Sequence, residues 1–129
     1  MKRYKAYTKE SGIIETNDYD DISDLTYHRE DGPAYIRYNH NGKVAYEAYY
    51  IHGKRHRLDG PAYIEYDGNC NVVVASYWIN DKRNRLDGPA YISYDENGNA
   101  VNELYWINGI EYNKEQYDKE LLKLKVQSL

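Results

Sequence analysis

The sequence predicts a mainly β protein, an all-β single-layer antiparallel sheet of β-hairpin repeats with a C-terminal α-helical cap. Three observations predict it. The hexapeptide Asp-Gly-Pro-Ala-Tyr-Ile occurs three times, beginning at Asp31, Asp59 and Asp87, with a spacing of 28 residues each time. A fixed period of this length is typical of repeat architectures. Stretches rich in Tyr and Ile alternate with Asn-Gly turns, as strands in hairpins do. From Asn113 onwards the apolar residues change to near-helical spacing.

Length and composition predict one thin domain over residues 1–129. A chain of this size can form a single core or a single stack of repeats. It contains 17 Tyr and no Phe. Because every Tyr hydroxyl needs water or a hydrogen-bond partner, this composition favours a structure in which most rings keep one edge wet.

Charge and cysteine content exclude several classes of protein. The 17 basic and 21 acidic residues are mixed along the chain, with a net charge of −4, which argues against binding to duplex nucleic acid. The single Cys70 excludes an intrachain disulfide framework and a multi-cysteine zinc site. No leader-like apolar region or membrane-length apolar run is present. We therefore expect a cytoplasmic protein that does not bind membranes.

Residues 1–27 predict a capping hairpin and loop. The stretch "KRYKAY" has the composition of an edge strand, and "SG" and "IIET" follow it as a degenerate hairpin. The acidic "NDYDDISD" then reads as a loop. This segment would cover the N-terminal edge of the sheet.

Three β-hairpin repeats follow, at residues 28–55, 56–83 and 84–111. Each has a first strand that starts at Pro, an Asn-Gly-type turn, a second strand ("VAYEAYYI", "VVVASYWI" or "AVNELYWI") and a further turn. In the middle copy Cys70 replaces the Gly42 and Gly98 of the others. We therefore expect a different conformation for that turn, centred on Gly68.

Residues 112–129 predict the helical cap. Asn113 suits an N-cap position, with Gln116 three residues later as in a capping box. Tyr117, Leu121, Leu122 and Leu124 fall near helical spacing. An amphipathic helix here would close the last open edge of the sheet.

Period-2 alternation predicts the residues that bind a partner. Tyr35 and its counterparts share a face with positions that vary between Arg37, Glu65 and Ser93, so that face should be solvated and carry an exposed aromatic row. A second aromatic row and an arginine row recur in the same way. The predicted partner-binding residues are Tyr35, Tyr63, Tyr91, Tyr50, Trp78, Trp106, Arg29, Arg57 and Arg85.

The arginine row leaves two interpretations open. Arg29, Arg57 and Arg85 could pair with the aspartates of the three Asp-Gly-Pro segments and hold neighbouring repeats in register, with little energy from each exposed pair. They could also form a cationic stripe beside aromatic rings that takes an acidic protein surface, a phosphate or a nucleotide.

The repeated polar residues favour structure over catalysis. Three identical Asp-Gly-Pro segments cannot build one asymmetric active site, so we expect turns in which the Asp side chain accepts a backbone N–H and Gly takes an unusual dihedral angle. His28 and His56 correspond to Asn84, which favours hydrogen bonding between repeats over a general base. The four His residues lack metal-ligand spacing. We expect no enzyme activity, no cofactor and no metal.

The stretch "YYIHGKRHRLDGPAYIEYDGN" resembles MORN-type repeats, which are single-layer arrays of β-hairpins. It is closer to a variant with "HREDGPA" in hypothetical proteins of bacteriophages and large viruses, in which an "INGxEYxKEQYxK"-like ending is also usual. The resemblance covers about residues 27–120. It implies an interaction platform. Pro61 stands where the family commonly has a second Gly, so we do not carry a lipid-binding role over to this chain.

These expectations lead to one main function and two alternatives. The main one is a non-catalytic module that binds a protein partner, in the form of a phage-encoded inhibitor that occludes a host defence protein in the host cytoplasm. The first alternative is a protein that sequesters a nucleotide between the Arg and Tyr rows. The second is a structural component that forms homo-oligomers edge to edge.

Overall fold

The structure, a computed structural model, describes residues 2–128. The N-terminal part contains β1 (Tyr4–Thr8), β2 (Gly12–Thr16) and a 3-10 helix (Tyr19–Asp21). The first repeat contains β3 (Tyr35–Tyr38), β4 (Val44–Ala48), β5 (Tyr50–Ile51) and β6 (Lys54–Arg55). The second contains β7 (Tyr63–Tyr66), β8 (Val72–Ser76), β9 (Trp78–Ile79) and β10 (Lys82–Arg83). The chain continues with β11 (Tyr91–Tyr94), β12 (Ala100–Ile107), β13 (Ile110–Tyr112) and α1 (Lys114–Gln127).

Nine of these strands form one antiparallel sheet in the order β2-β1-β3-β4-β7-β8-β11-β12-β13. Each main hairpin therefore lies beside the hairpin that precedes it in the chain. The prediction of a mainly β, antiparallel hairpin sheet with a C-terminal helix is confirmed. The predicted edge strand is wrong, because β1 pairs with both β2 and β3 and leaves β2 at the edge.

The second strand of each hairpin differs from the prediction in the first two copies. After β4 and β8 the chain leaves the main sheet and forms the small hairpins β5–β6 and β9–β10. At the break, the N–H of Tyr49 donates to the carbonyl of Ala62 in the next repeat, and Tyr77 donates in the same way to Ala90, both at 2.7 Å. β12 is followed by no further repeat, so it lacks this bond and runs unbroken to its turn.

The core is a thin layer on each side of the sheet. Tyr alternates with smaller residues across the strands, in the order Ala6, Tyr35, Ala48, Tyr63, Ser76, Tyr91 and Leu104. Ala48 is 0% exposed and Ser76 is 2% exposed, because rings from both sides cover them. The opposite face buries Ile36, Ile64 and Ile92. Rings at such a shallow core reach solvent at their rims, which explains the preference for Tyr over Phe.

The turn that contains Cys70 has the same conformation as its counterparts, so the predicted difference is wrong. Cys70 has a φ of 66°, against 79° for Gly42 and 82° for Gly98. The side chain of Asp67 accepts two backbone N–H groups of this turn, at 2.8 and 3.0 Å. This side chain and the strand register impose the turn, and Cys70 adopts a left-handed conformation that normally favours glycine.

The C-terminal helix begins with the predicted capping box. The side chain of Asn113 accepts the backbone N–H of Gln116 at 2.8 Å, and the Gln116 side chain accepts the N–H of Asn113 at 3.2 Å. Tyr117 is 2% exposed, and its ring lies 4.8 Å from that of Tyr105 in β12. Leu122 is 62% exposed, so the helix is attached mainly through Tyr117.

Candidate functional site

Each Asp-Gly-Pro segment encloses an arginine side chain. The Nε of Arg57 donates to Oδ1 of Asp59 at 3.0 Å, and its Nη1 donates to the carbonyl of Pro61 at 3.0 Å. The Cζ of the guanidinium lies 4.1 Å from the ring centroid of Tyr49. A Cβ added to Gly60 would lie 2.9 Å from that Cζ. The Asp, Gly and Pro of one Asp-Gly-Pro segment therefore all contact the same guanidinium group. We call this arrangement the arginine brace.

The brace recurs in the other two copies and corrects the predicted roles of Asp and Gly. Arg29 and Arg85 make the same two hydrogen bonds and lie over Tyr7 and Tyr77, each at 4.0 Å. The Asp side chains accept an arginine Nε rather than the expected backbone N–H. Glycine is needed because the guanidinium packs against its Cα. An unusual dihedral angle is not the general reason, since among the three only Gly88 has a positive φ.

His28, His56 and Asn84 have a structural role, as the sequence predicts, but their hydrogen bonds join the start and the end of a single repeat, so the prediction of bonds between repeats is wrong. Nδ1 of His28 accepts the backbone N–H of His52 at 2.9 Å, and Nδ1 of His56 accepts that of Asn80 at 3.1 Å. Oδ1 of Asn84 accepts the corresponding N–H in the third repeat at 2.9 Å. Imidazole and carboxamide are interchangeable here because each supplies one acceptor at the same place.

The small hairpins carry a row of rings and guanidinium groups, which Tyr27 and Trp106 extend at its two ends. The ring of Tyr27 lies 5.1 Å from that of Tyr50, and Arg55 lies 4.7 Å from the centroid of Trp78. Arg83 lies between the two indoles, 5.2 Å from Trp78 and 5.3 Å from Trp106. We call this set the aromatic–arginine row, defined by Tyr27, Tyr50, Arg55, Trp78, Arg83 and Trp106.

The predicted first aromatic row is less exposed than expected. Tyr35, Tyr63 and Tyr91 are all half-buried. Tyr46 packs edge-on against Tyr35 at 5.3 Å and Tyr63 at 4.8 Å, and the Tyr63 hydroxyl donates to Glu65. Burial raises the pKa of Tyr35 and Tyr63 well above the usual value for a phenol. These rings form the floor beneath the aromatic–arginine row.

Four buried polar atoms on this face lack hydrogen-bond partners among residues 2–128. They are Ser76 Oγ, Trp78 Nε1, Arg83 Nε and Trp106 Nε1. A buried polar group without a partner costs about 1–3 kcal/mol, and such groups are uncommon enough in native proteins to suggest a functional site. All four lie in or beside the C-terminal half of the aromatic–arginine row.

The nine predicted partner-binding residues are divided between the two faces of the sheet. Ala6 is directly opposite Tyr35, so the next residue, Tyr7, points to the other face, and Arg29 stacks on it there. Tyr27, by contrast, contacts both Tyr35 and Tyr50. The arginine brace therefore lies on one face, and the Tyr and Trp rows lie together on the other.

Sequence reasoning missed Arg55 and Arg83 as members of the aromatic face. The signal that could have identified them is the two-residue turn, because a turn of that length sets Tyr50 opposite Arg55 and Trp78 opposite Arg83.

Two classes of site are not found in the described chain. Within residues 2–128, no three His, Cys, Asp or Glu side chains are arranged to hold a metal ion. No helix in the same range has the length and hydropathy of a membrane span.

No protein-family model, curated protein or solved structure matches the sequence. The resemblance to MORN-type repeats therefore stays a prediction.

Proposed function

We propose that the protein is a non-catalytic protein-binding module that docks its partner on the aromatic–arginine row. The row runs along the small hairpins of the first two repeats and ends at Trp106 in β12, whereas α1 makes its main contacts with β12 and β13. The observation that carries the proposal is the set of contacting rings and guanidinium groups on this face, all of them partly exposed.

The chemistry of the row favours a protein partner. Trp, Tyr and Arg are the residues that most often anchor protein interfaces, because each provides a large contact area together with hydrogen-bond donors. A rigid sheet loses little conformational entropy when it binds. Arg55 and Arg83 take part in no ion pair within residues 2–128. The partner surface that fits is acidic, with apolar side chains that can cover the two indoles.

The finer form of the proposal is an inhibitor that occludes a host protein. It rests on the resemblance to repeat proteins of bacteriophages and large viruses. A partner bound along the whole row would have a flat surface covered rather than a single pocket filled, which is how occlusion acts.

Alanine substitution of the two indoles tests the role of the row. Trp78→Ala with Trp106→Ala should weaken partner binding by at least about 30-fold, the loss expected from an interface hot spot. Leu58→Ala with Leu86→Ala is the matched control, because both leucines are exposed, at 82% and 52%, beside the arginine brace on the other face. Circular dichroism would verify that both variants are folded.

A charge-matched pair of variants tests the arginines without deleting a ring. Arg55→Gln with Arg83→Gln should abolish capture of an acidic partner, whereas Lys54→Gln with Lys82→Gln should preserve it. Both pairs remove two positive charges from the same small hairpins, so a difference between them reports position rather than net charge. A partner captured equally by both variants would remove the row as the docking site.

A further inference from the structure

A groove of about 670 Å³ lies at the tip of the first main hairpin, beside the start of β1. Its lining includes the cations of Lys2, Arg3 and Arg37, the imidazole of His40, and Tyr38. No Asp or Glu is among its lining residues within the described chain. The chain as a whole is acidic, with 21 acidic and 17 basic residues. A groove that has three cations and no carboxylate in its lining is therefore a local region of positive potential.

The cations of the groove are not neutralised within residues 2–128. Lys2, Arg3 and Arg37 take part in none of the ion pairs there. Arg3 lies 5.6 Å from the ring centroid of Tyr4, and Arg37 lies 5.6 Å from that of Tyr46. These rings orient the guanidinium groups and leave their N–H donors available to a ligand.

The backbone at the groove is held from two sides. The N–H of Arg3 donates to Oδ1 of Asn17 at 2.9 Å, and the carbonyl of Arg3 accepts the N–H of Tyr38 at 2.8 Å. The N-terminal segment is therefore fixed against β3, and the two arginines are brought together before any ligand arrives.

The other two hairpins provide an internal comparison for the groove. The turn of each main hairpin begins with a side chain that accepts two backbone N–H groups: Asn39, at 2.9 and 3.1 Å, Asp67, at 2.8 and 3.0 Å, and Asp95, at 2.9 Å for both. The turn geometry is the same with a neutral or a charged side chain. Only the first hairpin, where the cations collect, has the neutral one.

At two neighbouring positions the first hairpin tip has a basic residue where the other two tips have acidic or neutral ones. Arg37 corresponds to Glu65 and Ser93, and His40 corresponds to Gly68 and Glu96. The fold therefore does not require basic residues at these positions, since the equivalent strands form without them. The positive charge of the first tip needs an explanation other than folding.

We propose that this groove binds a small molecule with two or more adjacent phosphates, of the size of a nucleoside diphosphate. Lys2, Arg3 and Arg37 would hold the phosphate oxygens through charge-assisted hydrogen bonds. Tyr38 offers a ring to a base or another planar group. The groove volume is within the usual range for small-molecule sites.

The charges of the next hairpin exclude a long polyanion. Glu65 and Asp67 lie on β7 and its turn, the hairpin adjacent to the groove. A nucleic-acid strand that extended from the groove along the sheet would meet these carboxylates, and like charges repel it. The groove has three cations, Lys2, Arg3 and Arg37, which can neutralise a few phosphates only. None of the residues that line the groove belongs to the aromatic–arginine row.

Calorimetric titration with pyrophosphate and ADP at low ionic strength tests this site. Both should bind at one site per chain with a dissociation constant below about 1 mM. Arg37→Gln should weaken binding by about tenfold, the loss of one charge-assisted contact. Lys54→Gln, which removes an exposed cation outside the groove, should leave the affinity unchanged.

Asn39→Asp gives a second variant that cannot act through misfolding. It creates the turn residue of the other two hairpins, so thermal stability should be retained while affinity falls about five- to tenfold by repulsion. Absence of binding by both probes would overturn the proposal. Equal affinity in wild type, Arg37→Gln and Asn39→Asp would do the same. Tighter binding of a single-stranded oligonucleotide than of ADP would replace it with a nucleic-acid site.

Discussion

The arginine brace predicts that an alanine at Gly60 changes the sign of its effect when Arg57 is removed. Gly60 is suitable because its φ is outside the left-handed region, so alanine is compatible with the backbone. In the wild type the new Cβ would lie 2.9 Å from the Cζ of Arg57 and expel the guanidinium. With Arg57→Ala in place, the three atoms nearest to that Cβ, all of which belong to the guanidinium, are removed.

The magnitude follows from the contacts of Arg57. Its hydrogen bond to the carbonyl of Pro61 contributes about 1 kcal/mol, and its stacking on Tyr49 about 1 kcal/mol. The pair with Asp59, whose side chain is 86% exposed, adds about 0.5 kcal/mol. Gly60→Ala in the wild type should therefore lower the free energy of unfolding by about 2 kcal/mol. In the Arg57→Ala background it should raise it by about 0.4–1 kcal/mol, because alanine reduces the entropy of the unfolded chain.

Urea denaturation of the four proteins of this double-mutant cycle, followed by tryptophan fluorescence and by circular dichroism, provides the measurement. The coupling free energy between the two sites should be about 2–3 kcal/mol. If Gly60→Ala destabilised the wild type and the Arg57→Ala variant equally, the guanidinium would not be the reason for the repeated glycine. The explanation of the Asp-Gly-Pro segment would then be wrong.

Four further predictions concern single side chains. Cys70→Gly should raise the free energy of unfolding by about 0.5–1 kcal/mol, because it relieves a left-handed φ of 66°; a decrease in a urea melt would contradict this. Tyr117→Phe should cost about 2 kcal/mol, since its hydroxyl contacts the carbonyls of Arg85 and Gly88 at 2.5 and 2.9 Å, while Tyr105→Phe, with a contact of 3.4 Å, should cost little in the same melt. His56→Asn should be neutral and His56→Ala should cost about 0.5–1 kcal/mol in thermal unfolding, because only the former keeps an acceptor. Burial raises the pKa of Tyr63, so the neutral phenol stabilises the fold at pH values below the pKa of an unfolded Tyr, about 10, and this stabilisation is lost as the pH rises further. Tyr63→Phe should therefore reduce the loss of stability at alkaline pH. An unchanged loss in pH-dependent unfolding would refute the role given to Tyr63.

The local elements of the fold could be predicted because their causes lie within a few residues. Alternation of Tyr and Ile with polar residues sets the strands, the Asx-type turn residues set the hairpins, and Asn113 with Gln116 begins the helix. A structural rather than catalytic role for His28 and His56 also followed from the sequence, because Asn84 takes the same position in the third repeat. The partners did not follow, since each side chain bonds within its own repeat and not to a neighbouring one.

Sequence reasoning failed where contacts cross from one repeat to the next. The break after β4 arises from a bond between Tyr49 and the following repeat. The division of the nine candidate residues between two faces depends on where each chain segment leaves the main sheet. The placement of Arg83 between two indoles depends on the same geometry. Cys70 also adopts a left-handed backbone conformation that non-glycine residues disfavour, because hydrogen bonds and strand register outweigh about 1 kcal/mol of local strain.

The sequence alone therefore determined the period, the hairpins, the terminal helix and the absence of a thick apolar core, since each is a property of neighbouring residues. The tertiary structure alone decided which side chains meet. It turned Asp-Gly-Pro into a brace for an arginine, and it joined Tyr50, Arg55, Trp78, Arg83 and Trp106 into one row. It also brought Arg3 beside Arg37 through the pairing of β1 with β3, residues 34 positions apart in the chain. Non-local pairing of this kind depends on the register of whole strands, which no short stretch of the sequence encodes.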